Sequence, residues 1–261
     1  STMIVVAALF GGMSPFCSCG VIPLIAALLA MGVPVPAVMA FWLASPLMDP
    51  TMFVLTMGTL SLDFAIAKTM AAVGIGMMGG FSTAALIARG TFANPLRDDV
   101  TGCGGCGAPT IDPKAKVAWK FWEEEDRRQK FFKESGSTSL FLLKWLTLAF
   151  LLESFMIAYI SADQIASVLG QGNDWAIPLA TLVGVPAYLN GYAALPLVAG
   201  LIELGTAPGA GMAFLVAGGV TSIPAAIAVY ALVKRPLFLW YIGLSLAGGL
   251  MAGFLFQLYV G

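Results

Sequence analysis

The 261-residue chain is too apolar and too poor in charge for an ordinary soluble domain. Hydrophobic residues make up 59% of it and charged residues 10%, with a mean hydropathy of +0.90, and such values are typical of membrane proteins. A net charge of −1 gives no field that would attract nucleic acid. Histidine is absent, which removes the usual general base and the commonest transition-metal ligand.

The first two apolar segments, residues 3–13 and 20–31, are too short to cross a bilayer, which needs about 20 helical residues. The link between them reads SPFCSCG from residue 14 to residue 20 and is rich in residues that break helices. Two half-length helices around such a link indicate a re-entrant hairpin or a broken membrane span.

The next two segments are long enough to span a membrane. Segment 36–58 contains Pro46 and Pro50 in its interior, and these prolines predict a kink or a break. Segment 64–88 has no proline but several glycines, which favour close packing of membrane helices.

The polar stretch 89–137 differs from everything around it. It holds nine of the 13 Lys and Arg residues, so the positive-inside rule places it in the cytoplasm. Residues 114–134 within it are predicted to form an amphipathic helix. The chain is therefore interpreted as a multi-pass protein of the cell's inner (plasma) membrane, with this loop on the cytoplasmic side.

The membrane segments occur twice, at a spacing of 173 positions. Ten of the 22 positions from Pro23 to Ala44 are identical to those from Pro196 to Ala217. The second half is predicted to hold spans near 138–160, 209–233 and 238–259 and short helices at 175–188 and 193–204. Because span 138–160 has no counterpart in the first half, we expect at least one helix before Ser1.

The two copies are predicted to face opposite sides of the membrane. Alternation from the cytoplasmic loop places the turn at 59–63 outside and the turn at 234–237 inside, although the two turns match at the same spacing. The predicted fold is an all-α polytopic membrane protein with an inverted-topology repeat, formed by residues 1–88 and 138–261, with broken or re-entrant helices in each half. Transporters of this plan bind solutes near the midplane.

The sequence PFCSCGVIPL at 15–24, followed by FWLASP at 41–46, resembles the predicted permease family that includes the organoarsenical efflux permeases (ArsP type). The stretch from GVPAY at 184–188 through FLVAGG at 214–219 is similar to the C-terminal half of that family. The resemblance implies an inverted duplication of membrane helices and export of trivalent organoarsenicals, or of other metal ions in some relatives.

Cys17 and Cys19 place two thiols at the start of a helix, in a link predicted to lie near the midplane. A helix N-terminus favours the thiolate form, and two thiolates would bind a soft arsenical or metal. Ser18 lies between them, and the second copy carries Asn190 and Tyr192 at the cysteine positions. These five residues are predicted substrate contacts, although cysteine also packs well in membranes as a small hydrophobe.

Three carboxylates lie in apolar surroundings: Asp49, Glu153 and Glu203. Because an ionisable group at membrane depth costs roughly 2.5–3.5 kcal/mol, such residues are candidates for function. Asp49 follows the Pro46 break and is predicted both to contact substrate and to accept the proton of an antiport cycle. Glu153 and Glu203 are the further proton-coupling candidates, and Glu203 is equally suited to ending its short helix near the surface.

The hydroxyls Ser45, Thr221 and Ser222 follow the two matching Phe positions, in the predicted breaks. They are candidates for substrate contact, with satisfaction of freed backbone carbonyls as the alternative. Cys103 and Cys106 form a CxxC in a glycine-rich stretch, which supplies half of a closed zinc site. This pair is a candidate for loading or sensing a soft metal, and a flexible linker with incidental thiols is the alternative.

These observations predict a secondary permease that exports a small soft-element solute, coupled to a proton gradient. No glycine-rich phosphate loop with a lysine is visible, so transport is expected to be driven by a gradient. The chain is not expected to be an enzyme or to bind a cofactor. The alternative function is a transmembrane thiol–disulfide electron carrier, which would need a reactive cysteine in each half. The expected partners are the lipid bilayer and a small molecule or ion, without nucleic acid, and a homo-oligomer is left open.

Overall fold

The structure is a computed structural model. It describes residues 2–14, 21–90, 175–187, 191–221 and 233–260, together with single positions and short runs between 125 and 154 and between 226 and 230. All regular elements with defined bounds in this part of the chain are α-helices. The predicted all-helical class is therefore confirmed for the described residues.

Nine helices have defined bounds among the described residues. They are α1 (Thr2–Gly12), α2 (Val21–Ala30), α3 (Val35–Ala44), α4 (Pro50–Thr59), α5 (Leu62–Ala88), α6 (Ala176–Ala187), α7 (Gly191–Glu203), α8 (Pro208–Thr221) and α9 (Arg235–Val260). By length and composition, α5 and α9 are able to cross a membrane. The other helices are shorter and mostly apolar, and the whole set fits a membrane protein.

The predicted break in segment 36–58 is confirmed, since α3 ends at Ala44 and α4 begins at Pro50. Pro50 fits the first position of α4 because proline has no N–H to satisfy there. Asp49 precedes it as the N-cap with extended backbone, and its Oδ1 accepts the backbone N–H of Met52 at 2.8 Å. This carboxylate is therefore held at the break by the start of α4.

Glycines let α1, α3 and α5 approach one another closely. A methyl group added to Gly76 of α5 would lie 2.8 Å from the Ala40 carbonyl oxygen and 3.0 Å from the Ala44 Cβ of α3. Gly74, on the same helix, has nothing within 4 Å of an added Cβ. The close packing of α5 on α3 therefore depends on the glycine at position 76, since a larger residue there would collide with α3.

Gly76→Ala should lower the free energy of unfolding by about 1–3 kcal/mol, because the added methyl meets backbone atoms of α3. Gly74→Ala is the matched control, with the same chemical change two residues away. It should leave stability unchanged or raise it by up to about 1 kcal/mol through helix propensity. Thermal melting of the purified protein in detergent measures both, and equal melting temperatures would contradict the packing argument.

The same close contacts recur 173 positions later. A Cβ added to Gly11 would lie 2.7 Å from the Phe41 carbonyl oxygen, and one added to Gly184 would lie 2.9 Å from that of Phe214. The correspondence extends to the glycines of the long helices. A Cβ added to Gly80 would contact Ile4, Pro36 and Ala40. One added to Gly253 would contact the residues 173 positions later, Ile177, Gly209 and Ala213. The duplicated sequence therefore forms the same packing twice.

The turns after α2 and α7 are also equivalent. Gly32 and Gly205 take the left-handed conformation, with φ of +79° and +94°. The next residue in each turn donates its N–H to a helix carbonyl, from Val33 to Leu28 at 3.0 Å and from Thr206 to Leu201 at 2.9 Å. These features form the glycine-ended helix stop known as the Schellman motif, so both short helices end by the same local chemistry.

The two long helices α5 and α9 pack against each other in opposite directions. Residue numbers rise along α5 as they fall along α9 in four contacts: Phe64 with Phe256, Ile75 with Gly248, Gly79 with Leu244, and Thr83 with Trp240. The last pair includes a hydrogen bond of 3.1 Å from Trp240 Nε1 to Thr83 Oγ1. Ile75 and Gly248 are 173 positions apart, so they occupy the same position in the two copies of the duplicated sequence. The helices α5 and α9 therefore contact each other through a pair of equivalent residues.

Candidate functional site

The two predicted copies of the repeat, residues 1–88 and 138–261, are named the first and the second unit. At the break between α3 and α4, a polar side chain of the first unit contacts a polar side chain of the second. Asp49 Oδ2 accepts the hydroxyl of Tyr192 at 3.1 Å, while its Oδ1 caps α4. Tyr192 is the second residue of α7 and is partly exposed. Both residues were predicted substrate contacts from sequence, and the structure brings them together across 143 positions of chain.

Lys68 adds a buried amine that the sequence analysis missed. It lies in the first third of α5, with a relative exposure of 1%. Its Nζ is buried and forms no hydrogen bond with any described residue. Asp49 caps α4, which packs against α5, and no hydrogen bond joins its carboxylate to Lys68.

A sequence signal for Lys68 was available. It is the only Lys or Arg in residues 1–88, and it interrupts an apolar segment long enough to span a membrane. The cost that made Asp49 a candidate applies equally to a buried cation at membrane depth. The same argument, applied to cations as well as carboxylates, would have identified Lys68.

The equivalent of Lys68 in the second unit is Tyr241, 173 positions later. Tyr241 is also buried, but its hydroxyl donates a hydrogen bond to the Val220 carbonyl near the end of α8. Its ring packs on Trp42 with centroids 5.2 Å apart. The second unit thus has a hydrogen-bonded hydroxyl where the first unit has an amine nitrogen without a hydrogen-bond partner among the described residues.

Three further candidates are placed at helix ends. Ser45 is buried directly after α3, and Glu203 is the exposed last residue of α7. Thr221 ends α8, and its hydroxyl donates to the Ala217 carbonyl at 2.7 Å. That bond is the i→i−4 contact that a threonine makes inside a helix, and the role predicted for Thr221 stays a prediction.

The remaining candidates lie outside the described residues. They are Cys17, Ser18, Cys19, Asn190, Ser222, Glu153, Cys103 and Cys106. The predicted loop 89–137 is likewise mostly outside them, although an exposed ion pair of 3.3 Å joins Arg128 to Glu125. Among the described residues, no three His, Cys, Asp or Glu side chains are grouped to hold a metal. The roles predicted for these residues stay predictions.

Comparisons with known proteins extend over nearly the whole chain. The model of the ArsP_1 family, described as a predicted permease, matches residues 2–258. The UPF0718 protein MJ0584 of Methanocaldococcus jannaschii is 24% identical over 139 residues, which are 53% of this chain and 38% of that protein. The match thus covers less than half the length of this curated relative. No solved structure matches the chain.

Proposed function

The chain belongs to the ArsP_1 family of predicted permeases, and on this premise we propose that it is a secondary permease exporting a small soft-element solute. The solute class is a trivalent organoarsenical or a thiophilic metal ion. The protein acts as a transporter rather than an enzyme, in the inner membrane, with loop 89–137 in the cytoplasm. Export is coupled to a proton gradient, since no nucleotide motif is visible in the sequence.

The proposed architecture is an inverted-topology repeat. Its support is the opposite direction of α5 and α9, which are equivalent helices, and their contact at Ile75 and Gly248. A twofold axis perpendicular to two equivalent helices makes them run antiparallel. The two helices then cross at the axis, where a residue contacts its own equivalent. Inverted repeats give a transporter two similar arrangements, each open to one side of the membrane.

The observation that carries the proposal is the hydrogen bond between Asp49 and Tyr192 at the broken helix. Broken helices at the meeting point of two repeats are where secondary transporters bind solutes and coupling ions. A carboxylate held there by a residue of the other unit is positioned to respond when the units move. Asp49 is therefore the first coupling candidate, ahead of Glu153 and Glu203.

The soft ligands are proposed to come from the link before α2. Tyr192 is the equivalent of Cys19, and Asn190 is the equivalent of Cys17. Because Tyr192 reaches Asp49 at the meeting point of the units, the equivalent link of the first unit is proposed to face the same region. Two thiolates would then face neutral polar groups, an arrangement suited to a soft trivalent element.

Transport in everted membrane vesicles tests the proposed function. Methylarsenite, arsenite, Cu⁺, Zn²⁺ and Hg²⁺ are offered separately, with and without an imposed pH gradient, and accumulation is compared with vesicles lacking the protein. We expect gradient-dependent accumulation of at least one thiophilic probe. Vesicles that accumulate none of the five under either condition would contradict the proposal.

A further inference from the structure

Lys68 is unusual because nothing described around it satisfies its ammonium. The side chain is 1% exposed, and Nζ has no hydrogen-bond partner among the described residues. A buried ammonium without a partner loses its hydration and gains nothing in return, so its charged form needs a counter-charge close by. The surroundings of Lys68 decide which groups are able to respond.

Asp49 is the one carboxylate on the described helices packed against α5. The helices α1, α3 and α8 carry no titratable side chain, and α4 contributes only its cap, Asp49. The titratable groups of α9 are Arg235, Tyr241 and Tyr259, and the Tyr241 hydroxyl already donates to Val220. On α5 itself the carboxylate of Asp63 is exposed in the first turn, so Asp49 is the partly buried carboxylate that these helices offer to Lys68.

The Asp49 carboxylate is engaged elsewhere in this structure. One oxygen accepts the Met52 N–H and the other accepts the Tyr192 hydroxyl. The first bond lies within α4 and its cap, whereas the second joins the two units. A movement of one unit against the other would break only the second bond and would release that oxygen of the carboxylate.

We propose that Lys68 carries the coupling proton of the permease, with Asp49 as its switchable counter-charge. While Tyr192 holds Asp49, the N–H bond of the ammonium breaks, the electron pair stays on Nζ and the proton passes to water on the open side. When the units move and Asp49 leaves Tyr192, Nζ takes a proton from water on the other side and pairs with the carboxylate. This inference rests on the proposed transport function and adds the residue that carries the coupling proton.

The assignment separates protons from sodium as the driving ion. A carboxylate alone binds either a proton or a hard cation, whereas an amine nitrogen binds a proton and is a poor ligand for hard cations, which prefer oxygen. A lysine at the coupling position therefore requires a proton gradient. A sodium gradient imposed at constant pH should drive no transport.

The test uses the full-length protein in proteoliposomes with methylarsenite as the probe. Lys68→Gln is permanently neutral and Lys68→Arg is permanently charged, since a guanidinium does not release its proton in proteins. Both should lose pH-driven transport down to the level of protein-free vesicles. Both should keep counterflow, the exchange of labelled for unlabelled methylarsenite without a gradient. Lys144→Gln, at an exposed lysine, is the matched control and should behave as wild type.

Lys68→Tyr guards against a folding artefact, because tyrosine is the residue at the equivalent position in the second unit. It should elute and melt as wild type, keep counterflow and lose pH-driven transport. Lys68→Arg that retains pH-driven transport would overturn the inference, because a fixed charge would then suffice. Loss of counterflow in all three folded variants would also overturn it. Wild-type protein that transports nothing would overturn the proposed function together with the inference. Wild-type protein that transports while the Lys68 variants give one of the contrary results above would overturn the inference alone.

Discussion

Replacing Cys17 and Cys19 together with serine should abolish transport of thiophilic solutes while expression and folding stay intact. Serine has nearly the shape of cysteine, but its hydroxyl is a hard ligand that does not replace a thiolate on a soft element. If both thiols bind the solute, the loss should be complete rather than partial. Vesicle uptake of methylarsenite and Hg²⁺, normalised to the amount of folded protein, measures the effect.

The matched control is the second cysteine pair. Serine at Cys103 and Cys106 removes the same two functional groups from the predicted cytoplasmic loop, outside the membrane repeats. This variant should weaken transport only in part, because loading or sensing precedes passage through the membrane. Full activity of the Cys17/Cys19 double variant would remove the soft-ligand model, and the site around Asp49 and Tyr192 would then need another solute class.

Asp49→Asn should block net pH-driven export and leave solute binding largely intact. Asparagine has no charge to exchange between Tyr192 and Lys68, so it removes the response to the gradient. It is also as good an N-cap as aspartate, and its oxygen replaces the one that accepts the Met52 N–H at 2.8 Å. The start of α4 is therefore preserved, and the expected loss is in coupling rather than in folding.

Proteoliposomes with an imposed pH gradient measure the coupled rate, and solute binding is measured in parallel on the same preparation. Asp63→Asn is the comparison variant with the same chemical change, because this carboxylate is exposed in the first turn of α5 and the variant should lose little activity. Gradient-driven export by Asp49→Asn at the wild-type rate would make Asp49 structural. Glu153 and Glu203 would then be the next coupling candidates.

Local features of this fold were predictable because they depend on neighbours in the chain. Pro46 and Pro50 remove helix N–H donors wherever they are placed, so the break between α3 and α4 was visible in the sequence. The duplication was visible for the same reason, since equal residues at a spacing of 173 form equal helices and turns. The paired contacts of Gly11 with Phe41 and of Gly184 with Phe214 follow from this local identity.

The candidate site was less predictable from the sequence than the helices and turns, because it depends on the tertiary structure. Asp49 and Tyr192 were each predicted from sequence as polar residues at breaks, but neither prediction contained the hydrogen bond between them. A contact across 143 positions depends on how the two units dock, and apolar helix surfaces in a membrane permit many dockings. The antiparallel contact of α5 with α9 is a docking feature of the same kind.

The sequence by itself determined that this protein is helical, apolar, duplicated and broken at Pro46 and Pro50, because proline, glycine and apolar side chains act within a few residues of themselves. Only the tertiary structure decided that Lys68 is buried without a hydrogen-bond partner among the described residues and that Asp49 faces Tyr192 instead. Burial and partnership are properties of the space around a side chain, and that space is built by residues far away in the chain.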